Sequence, residues 1–175
     1  MVRLGASAPE FTLKGIDRGQ IGGYSLKLYR GRWLVLFFYP ADFTFICPTE
    51  VTGFSRMVEE FRAEGAEVLG VSVDSLETHR EWIEELGGVN YPLLSDADKE
   101  VSRAYGVLEE NAGVSLRATL IMNPNGEVQY LVVSDMNVGR SVEETLRVLK
   151  ALRTGRLCPS GWKPGEGTGD VGLKY

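Results

Sequence analysis

Two cysteines and a single histidine are the residues of this 175-residue chain that most directly invite chemistry: Cys47, Cys158 and His79. Cys47 stands immediately before Pro48, and proline is well placed in the first turn of a helix. A short loop after Pro40 separates the cysteine from the apolar run Trp33–Tyr39. Strand, loop and helix in that order put Cys47 at a helix N-terminal end. Unpaired backbone N–H groups and partial positive charge there favour thiolate over thiol. A free cysteine, with a pKa of about 8.5, is only ~3% thiolate at pH 7, and about 2.7 kcal/mol of extra stabilisation makes the thiolate the major species. A helix terminus supplies about 0.3–1 kcal/mol, so a cation within a few Å is needed as well. The residues alone leave two readings open, a reactive thiolate or a buried structural cysteine.

The other candidates carry less. The cysteines lie far apart with no Cys-x-x-Cys, which fits neither a secreted disulfide framework nor a vicinal dithiol. With one histidine a zinc site of the usual spacing is hard to build, so no metal and no cofactor are expected. His79, just inside a helix start, reads as a partly exposed helical residue. Asp96 and Asp98 read as a turn and helix cap. Trp33, Trp82 and Trp162 read as packing or interface residues.

These residues need an α/β framework to hold them. Glycines 15, 19, 22 and 23, between short apolar pieces, suggest a hairpin-like opening segment. Trp33–Tyr39 is continuous and rich in β formers, as a buried central strand should be. Val51, Phe54, Val58 and Phe61 then recur at helical spacing up to Gly65. Val68–Val73 reads as a strand, with Asp74 or Ser75 capping a helix to about Leu86. A short strand near Tyr91–Leu94 and a helix over Asp98–Tyr105 follow. Ala118–Met122 and Val128–Val133, joined by Asn-Pro-Asn-Gly, make a hairpin. Ser141, with Glu144 at the capping-box offset, starts a last helix. From Thr154 the chain is rich in Gly and Pro and reads as a tail lying on a surface, its own or a neighbour's.

Composition narrows the function classes. The chain is 43% hydrophobic and 25% charged, with a net charge of -5 and no Lys/Arg block. Nucleic acid and anionic membrane surfaces are therefore not expected partners. No apolar stretch approaches a membrane span, and Met1–Lys14 lacks the pattern of a secretory leader. The expectation is a cytoplasmic protein.

The pattern Pro40-x-x-x-Thr44-x-x-Cys47, inside FYPADFTFICPTE, resembles the active-site motif of the peroxiredoxins. It is most similar to the typical two-cysteine subgroup, of the alkyl hydroperoxide reductase or thioredoxin peroxidase type. The similarity runs through Ala8-Pro9-Glu10-Phe11, Leu116-Arg117-Ala118-Thr119 and Val138-Gly139-Arg140-Ser141 to Cys158-Pro159-Ser160-Gly161-Trp162-Lys163-Pro164-Gly165. It covers nearly the whole chain.

The resemblance implies a thioredoxin-like fold with an N-terminal β extension and a central mixed sheet flanked by helices. It implies a peroxidase domain over residues 1–152 and a tail over 153–175 that carries Cys158. Cys47 is implied as the peroxidatic cysteine, with Arg117 as the guanidinium beside its sulfur. Thr44 would supply a hydroxyl to thiolate and peroxide, and Pro40 would shield the pocket from water. Glu50 and Arg140 would orient the catalytic arginine. Cys158 would resolve the Cys47 sulfenic acid of a second copy of the chain. The implied partners are a hydroperoxide, thioredoxin or a dedicated disulfide reductase, and further copies of the chain in a homodimer and a decamer.

Two stretches depart from the subgroup. Overoxidation-sensitive members carry a GGLG motif and a C-terminal helix with Tyr-Phe; here the sequence reads Glu84-Glu85-Leu86-Gly87, and it ends at Val171-Gly172-Leu173-Lys174-Tyr175. The expectation is easier local unfolding around Cys47 and resistance to sulfinic acid formation. The link Ala151–Leu157 is a few residues shorter than usual, which leaves the path of the tail open. Thiol–disulfide exchange, a holdase role and peroxide sensing are the competing functions.

Overall fold

The computed structural model describes residues 2–172. Residues 173–175, on which part of the overoxidation expectation falls, lie outside the described residues. The elements in chain order are β1 (Thr12–Asp17), β2 (Gln20–Ser25), a 3₁₀ turn (Leu26–Tyr29), β3 (Trp33–Phe38), α1 (Cys47–Ala63), β4 (Ala66–Ser72) and α2 (Leu76–Glu85). They continue with β5 (Leu93–Ser95), α3 (Glu100–Ala104), β6 (Leu108–Glu109), β7 (Val114–Ser115), β8 (Arg117–Met122), β9 (Val128–Ser134) and α4 (Val142–Thr154).

Seven strands form one mixed sheet in the order β2-β1-β5-β4-β3-β8-β9. β3, β4 and β5 are parallel neighbours, while β8 lies antiparallel to β3, and β9 to β8. Strand β3 is apolar throughout because both of its faces are covered. Val35, Phe37 and Tyr39 point into a core shared with α1, α2 and α4, and Leu34, Leu36 and Phe38 into a second core on the opposite face. The alternation follows from the two-residue period of a strand. The architecture is therefore α/β, with a central mixed sheet flanked by helices and extended at one edge by the N-terminal β1–β2 hairpin.

Local differences from the sequence reading have identifiable causes. Of the early glycines only Gly19 lies in the β1–β2 turn, with a φ of +78°. Gly15 is inside β1, where an added Cβ would sit 2.9 Å from the Leu93 carbonyl oxygen, so it permits close approach of β5. The two-residue strands β6 and β7 are too short to show a period. The capping box of α4 is half made: Ser141 Oγ accepts from the Glu144 N–H at 3.1 Å, but the Glu144 carboxylate turns to Arg147 instead. The segment after α4 folds back on its own chain, bridging Leu157 to Gly169 and burying Trp162.

Candidate active site

Helix α1 explains the burial of Cys47. The cysteine is the first residue of the helix, with Pro48 next, and it stands in helical phase with Val51, Phe54, Val58 and Phe61. That stripe faces the sheet, so the sulfur is carried inward with it, and Cys47 is fully buried. Glu50, three residues on, projects to the same side and is also buried. The sulfur thus lies at the amide-rich end of a 17-residue helix while enclosed by protein.

Sheet topology brings the cations. Because β8 runs antiparallel to β3, its first residue, Arg117, lies beside the end of β3, from which the loop to Cys47 departs. The β9–α4 connection returns to the same end and supplies Arg140. Arg117 Nη1 donates to Cys47 Sγ at 3.3 Å and to Glu50 Oε2 at 2.8 Å, and its Nε donates to the Met136 carbonyl at 2.8 Å. Arg140 Nε and its backbone N–H each donate to Glu50 Oε1 at 3.0 Å. Its terminal nitrogens reach the carbonyls of Ala118 and Phe38, and the guanidinium lies 5.2 Å from the Phe37 ring centroid. Burial pushes Arg140 below the ordinary arginine value, and the Glu50 charge opposes that push. Gly139 leaves the space: a Cβ there would meet Ile46 Cγ2 at 3.2 Å.

Charge counting shows what this cluster does. Two guanidiniums, with side chains 5% and 3% exposed, face one carboxylate, Glu50. Glu50 and Cys47 are the groups that counter Arg140, and Arg117 is the group that repels it. An isolated buried charge is costly; Glu50 offsets one of the two guanidiniums, and the other positive charge faces Cys47 Sγ at 3.3 Å. A thiolate fixed beside a guanidinium and helix-start amides is a nucleophile with charge stabilisation already in place for the atoms it attacks.

The remaining expected site residues are placed differently. Pro40 is buried at the exit of β3. Thr44 is exposed, and its hydroxyl donates to the Ala41 carbonyl at 3.0 Å rather than to the sulfur. Cys158 is half-buried beyond the end of α4, and both cysteines are free thiols. Helices α1 and α4 run side by side in the same direction. Val142, the first residue of α4, packs at Gly53, nearly two turns into α1, and Arg153 pairs with Glu64 at 2.7 Å near their ends. Cys47 and Cys158 therefore sit at opposite ends of the pair, about 25 Å apart by the rise of the 17-residue α1. A disulfide needs Cα atoms within about 4.4–6.8 Å.

His79 is corrected by the structure, being fully buried rather than partly exposed. Its Nδ1 lies 2.6 Å from Asp42 Oδ2 and its Nε2 3.0 Å from the Leu94 carbonyl oxygen. Tyr39 Oη donates to Asp42 Oδ1 at 2.8 Å, and the Asp42 N–H donates to Asp74 at 3.0 Å. The group ties the loop before Cys47 to α2, to β5 and to the segment between β4 and α2. Sequence carried a signal for it, since His79 shares a helical phase with Trp82, Ile83 and Leu86 on the face that packs inward. Asp96 caps as expected, accepting the N–H groups of Val101 and Ser102.

Comparison with known proteins identifies the family of the chain. Residues 4–131 match the AhpC/TSA family. A Clostridium pasteurianum protein, named for peroxiredoxin character and its place in a rubredoxin operon, is 51% identical over 93% of this chain and 96% of its own. Peroxiredoxin-2 of Mus musculus is 46% identical over 95% of this chain and 89% of its own. The crystal structure of the reduced 2-Cys peroxiredoxin of Plasmodium vivax superposes with a TM-score of 0.90, at 36% identity, over 94% of this chain and 91% of that one.

Proposed function

The chain belongs to the AhpC/TSA family and is a peroxiredoxin, a peroxidase of thioredoxin-like fold, and from that premise we propose that Cys47 reduces hydrogen peroxide and organic hydroperoxides. The observation that carries the proposal is the buried charge balance of Cys47, Glu50, Arg117 and Arg140. The Cys47 thiolate attacks the nearer peroxide oxygen, the O–O bond breaks, and the farther oxygen leaves as hydroxide or alkoxide and takes up a proton. The product is a Cys47 sulfenic acid. Arg117 stabilises the charge spreading over the two oxygens. Glu50 and Arg140 fix the guanidinium in position. Thr44, with its hydroxyl on the loop surface, turns inward to bond the peroxide, and Pro40 keeps water out.

Cys158 of the partner subunit then attacks the Cys47 sulfur, releasing water and leaving an intersubunit disulfide. The separation of the two cysteines along α1 and α4 supports resolution between chains rather than within one. An external dithiol, thioredoxin or a dedicated disulfide reductase, restores both thiols. The reading places the enzyme in the cytoplasm as a homodimer and decamer. Among the described residues no helix is long and apolar enough to cross a membrane.

A steady-state assay tests this reading. Peroxide consumption with hydrogen peroxide and with an alkyl hydroperoxide, driven by a thioredoxin system, is expected in the wild type and lost in Cys47→Ser. Turnover that survives in Cys47→Ser contradicts it.

A further inference from the structure

The turn that carries Cys158 is clamped at both ends. At its base Leu157 and Gly169 exchange backbone hydrogen bonds of 3.1 and 2.9 Å. Arg156 reinforces that base through Thr168 Oγ1 and Asp170 Oδ1, each at 2.6 Å. At the other end Trp162 closes the turn with its N–H on the Pro159 carbonyl at 3.0 Å, and its side chain is buried. One side-chain link runs from this end to the helix: Arg147 Nη1 donates to the Trp162 carbonyl at 2.8 Å. Glu144 orients that guanidinium through two bonds of 2.6 and 2.7 Å.

The sulfur itself is held only weakly. Cys158 Sγ lies 3.5 Å from Thr154 Oγ1 and 3.8 Å from the carbonyl oxygens of Ala151 and Arg156, and a thiol is a weak donor and acceptor. Its orientation therefore comes from the two clamps. Arg147 and Cys158 line the same groove of about 540 Å³, with Val148, Ala151 and Leu152 of α4 forming its apolar floor. The thiol thus borders an open space rather than packed side chains.

We propose that Arg147 is a positioning residue for the resolution step. By holding the Trp162 carbonyl against α4, it presents the Cys158 sulfur to the groove where Cys47 of the partner subunit arrives as sulfenic acid. The inference rests on Cys158 being the resolving cysteine. In the step it serves, the Cys158 sulfur bonds to the Cys47 sulfur and the S–O bond breaks. Hydroxide leaves and combines with the proton lost by Cys158 to form water. Arg147 touches neither sulfur in this scheme. Its side chain is 28% exposed and its ion pair with Glu144 is complete without Trp162, so the link to the turn is separable from the fold.

The test follows both steps after one equivalent of hydrogen peroxide, by sulfenic acid trapping and by intact mass under non-reducing conditions. Wild type, Arg147→Met, Arg147→Lys and Cys158→Ser are compared. Sulfenic acid is expected to form in both Arg147 variants at the wild-type rate, with Cys158→Ser as the control that forms no Cys47–Cys158 disulfide. Disulfide formation is expected to slow about tenfold in Arg147→Met, the loss of one charge-assisted hydrogen bond, and to recover largely in Arg147→Lys, which keeps a donor for the Trp162 carbonyl. Unchanged or faster disulfide formation in Arg147→Met, or equal slowing in both variants, overturns the proposal. Absence of a Cys47–Cys158 disulfide in wild type removes the reading beneath it instead, so the two failures are distinguishable.

Discussion

Arg117 Nη1 lies 3.3 Å from Cys47 Sγ although 70 residues separate the two in sequence, and the same nitrogen is 2.8 Å from Glu50. One donor thus serves both the Cys47 sulfur and the Glu50 carboxylate, the arrangement the proposed mechanism needs. Replacing Arg117 with Met should lower the second-order rate of Cys47 with hydrogen peroxide by about 10²-fold or more, the usual loss for a preorganised transition-state donor. Arg117→Lys should recover only part, since an ammonium lacks the fork that engages Glu50, Cys47 and the Met136 carbonyl together. Stopped-flow oxidation of the reduced proteins measures both.

Glu50 stands between two buried guanidiniums, so its removal is a stability experiment as well as a kinetic one. Glu50→Gln leaves Arg117 and Arg140 facing each other without their shared carboxylate. The expected loss is about 3–5 kcal/mol in denaturant unfolding, with slower peroxide reduction alongside. A loss below about 1 kcal/mol would show that solvent, rather than Glu50, compensates the pair.

His79 makes folding pH-dependent. Burial pushes its imidazole down, but the hydrogen bond and charge of Asp42 outweigh this and hold it above the ordinary 6.5. Burial likewise raises the Asp42 carboxyl, against the pull of His79. The folded chain thus binds the His79 proton more tightly than the unfolded chain does. The stability this contributes is full below pH 6.5 and is lost as pH rises through the folded-state value. Unfolding free energies of wild type and His79→Asn should converge above pH 6.5; a gap independent of pH would contradict the pairing.

Phe43 holds a φ of +55°, a left-handed backbone unusual for a bulky residue, four residues before Cys47. Its ring lies 6.3 Å from that of Trp82 on α2. Phe43→Ala and Phe43→Gly both remove the ring, but only glycine relieves the backbone. The glycine variant should be the more stable by about 1 kcal/mol in denaturant unfolding. The opposite order would mean that the loop relaxes to another conformation.

The framework was legible where one residue pattern admits one geometry. The run Trp33–Tyr39, rich in β formers and stopped by Pro40, reads as a strand covered on both faces, and Pro48 with the Val51–Phe61 spacing puts a helix start at Cys47. Charge cost then required a cation near the sulfur, and the peroxiredoxin resemblance pointed to Arg117. What sequence could not supply was the rotamer of Thr44, because a short hydroxyl on an exposed loop bonds equally well to its own backbone. A helix start alone suggests an exposed His79, whereas the phase it shares with Trp82 carries it inward. The tail carries no periodicity, so its path shows in contacts such as the Leu157–Gly169 bridge and the Arg147–Trp162 bond rather than in the sequence.

The central claim, that Cys47 is a charge-stabilised nucleophile for peroxide resolved by Cys158 of the partner subunit, is tested most directly by a single stoichiometric oxidation. One equivalent of hydrogen peroxide is added to reduced wild type, Cys47→Ser and Cys158→Ser, and thiols, intact mass and non-reducing gel mobility are followed. The account predicts a rapidly formed disulfide-linked dimer in wild type, a persistent Cys47 sulfenic acid in Cys158→Ser, and no fast reaction in Cys47→Ser. Oxidation of Cys47 no faster than that of a free thiol would contradict it.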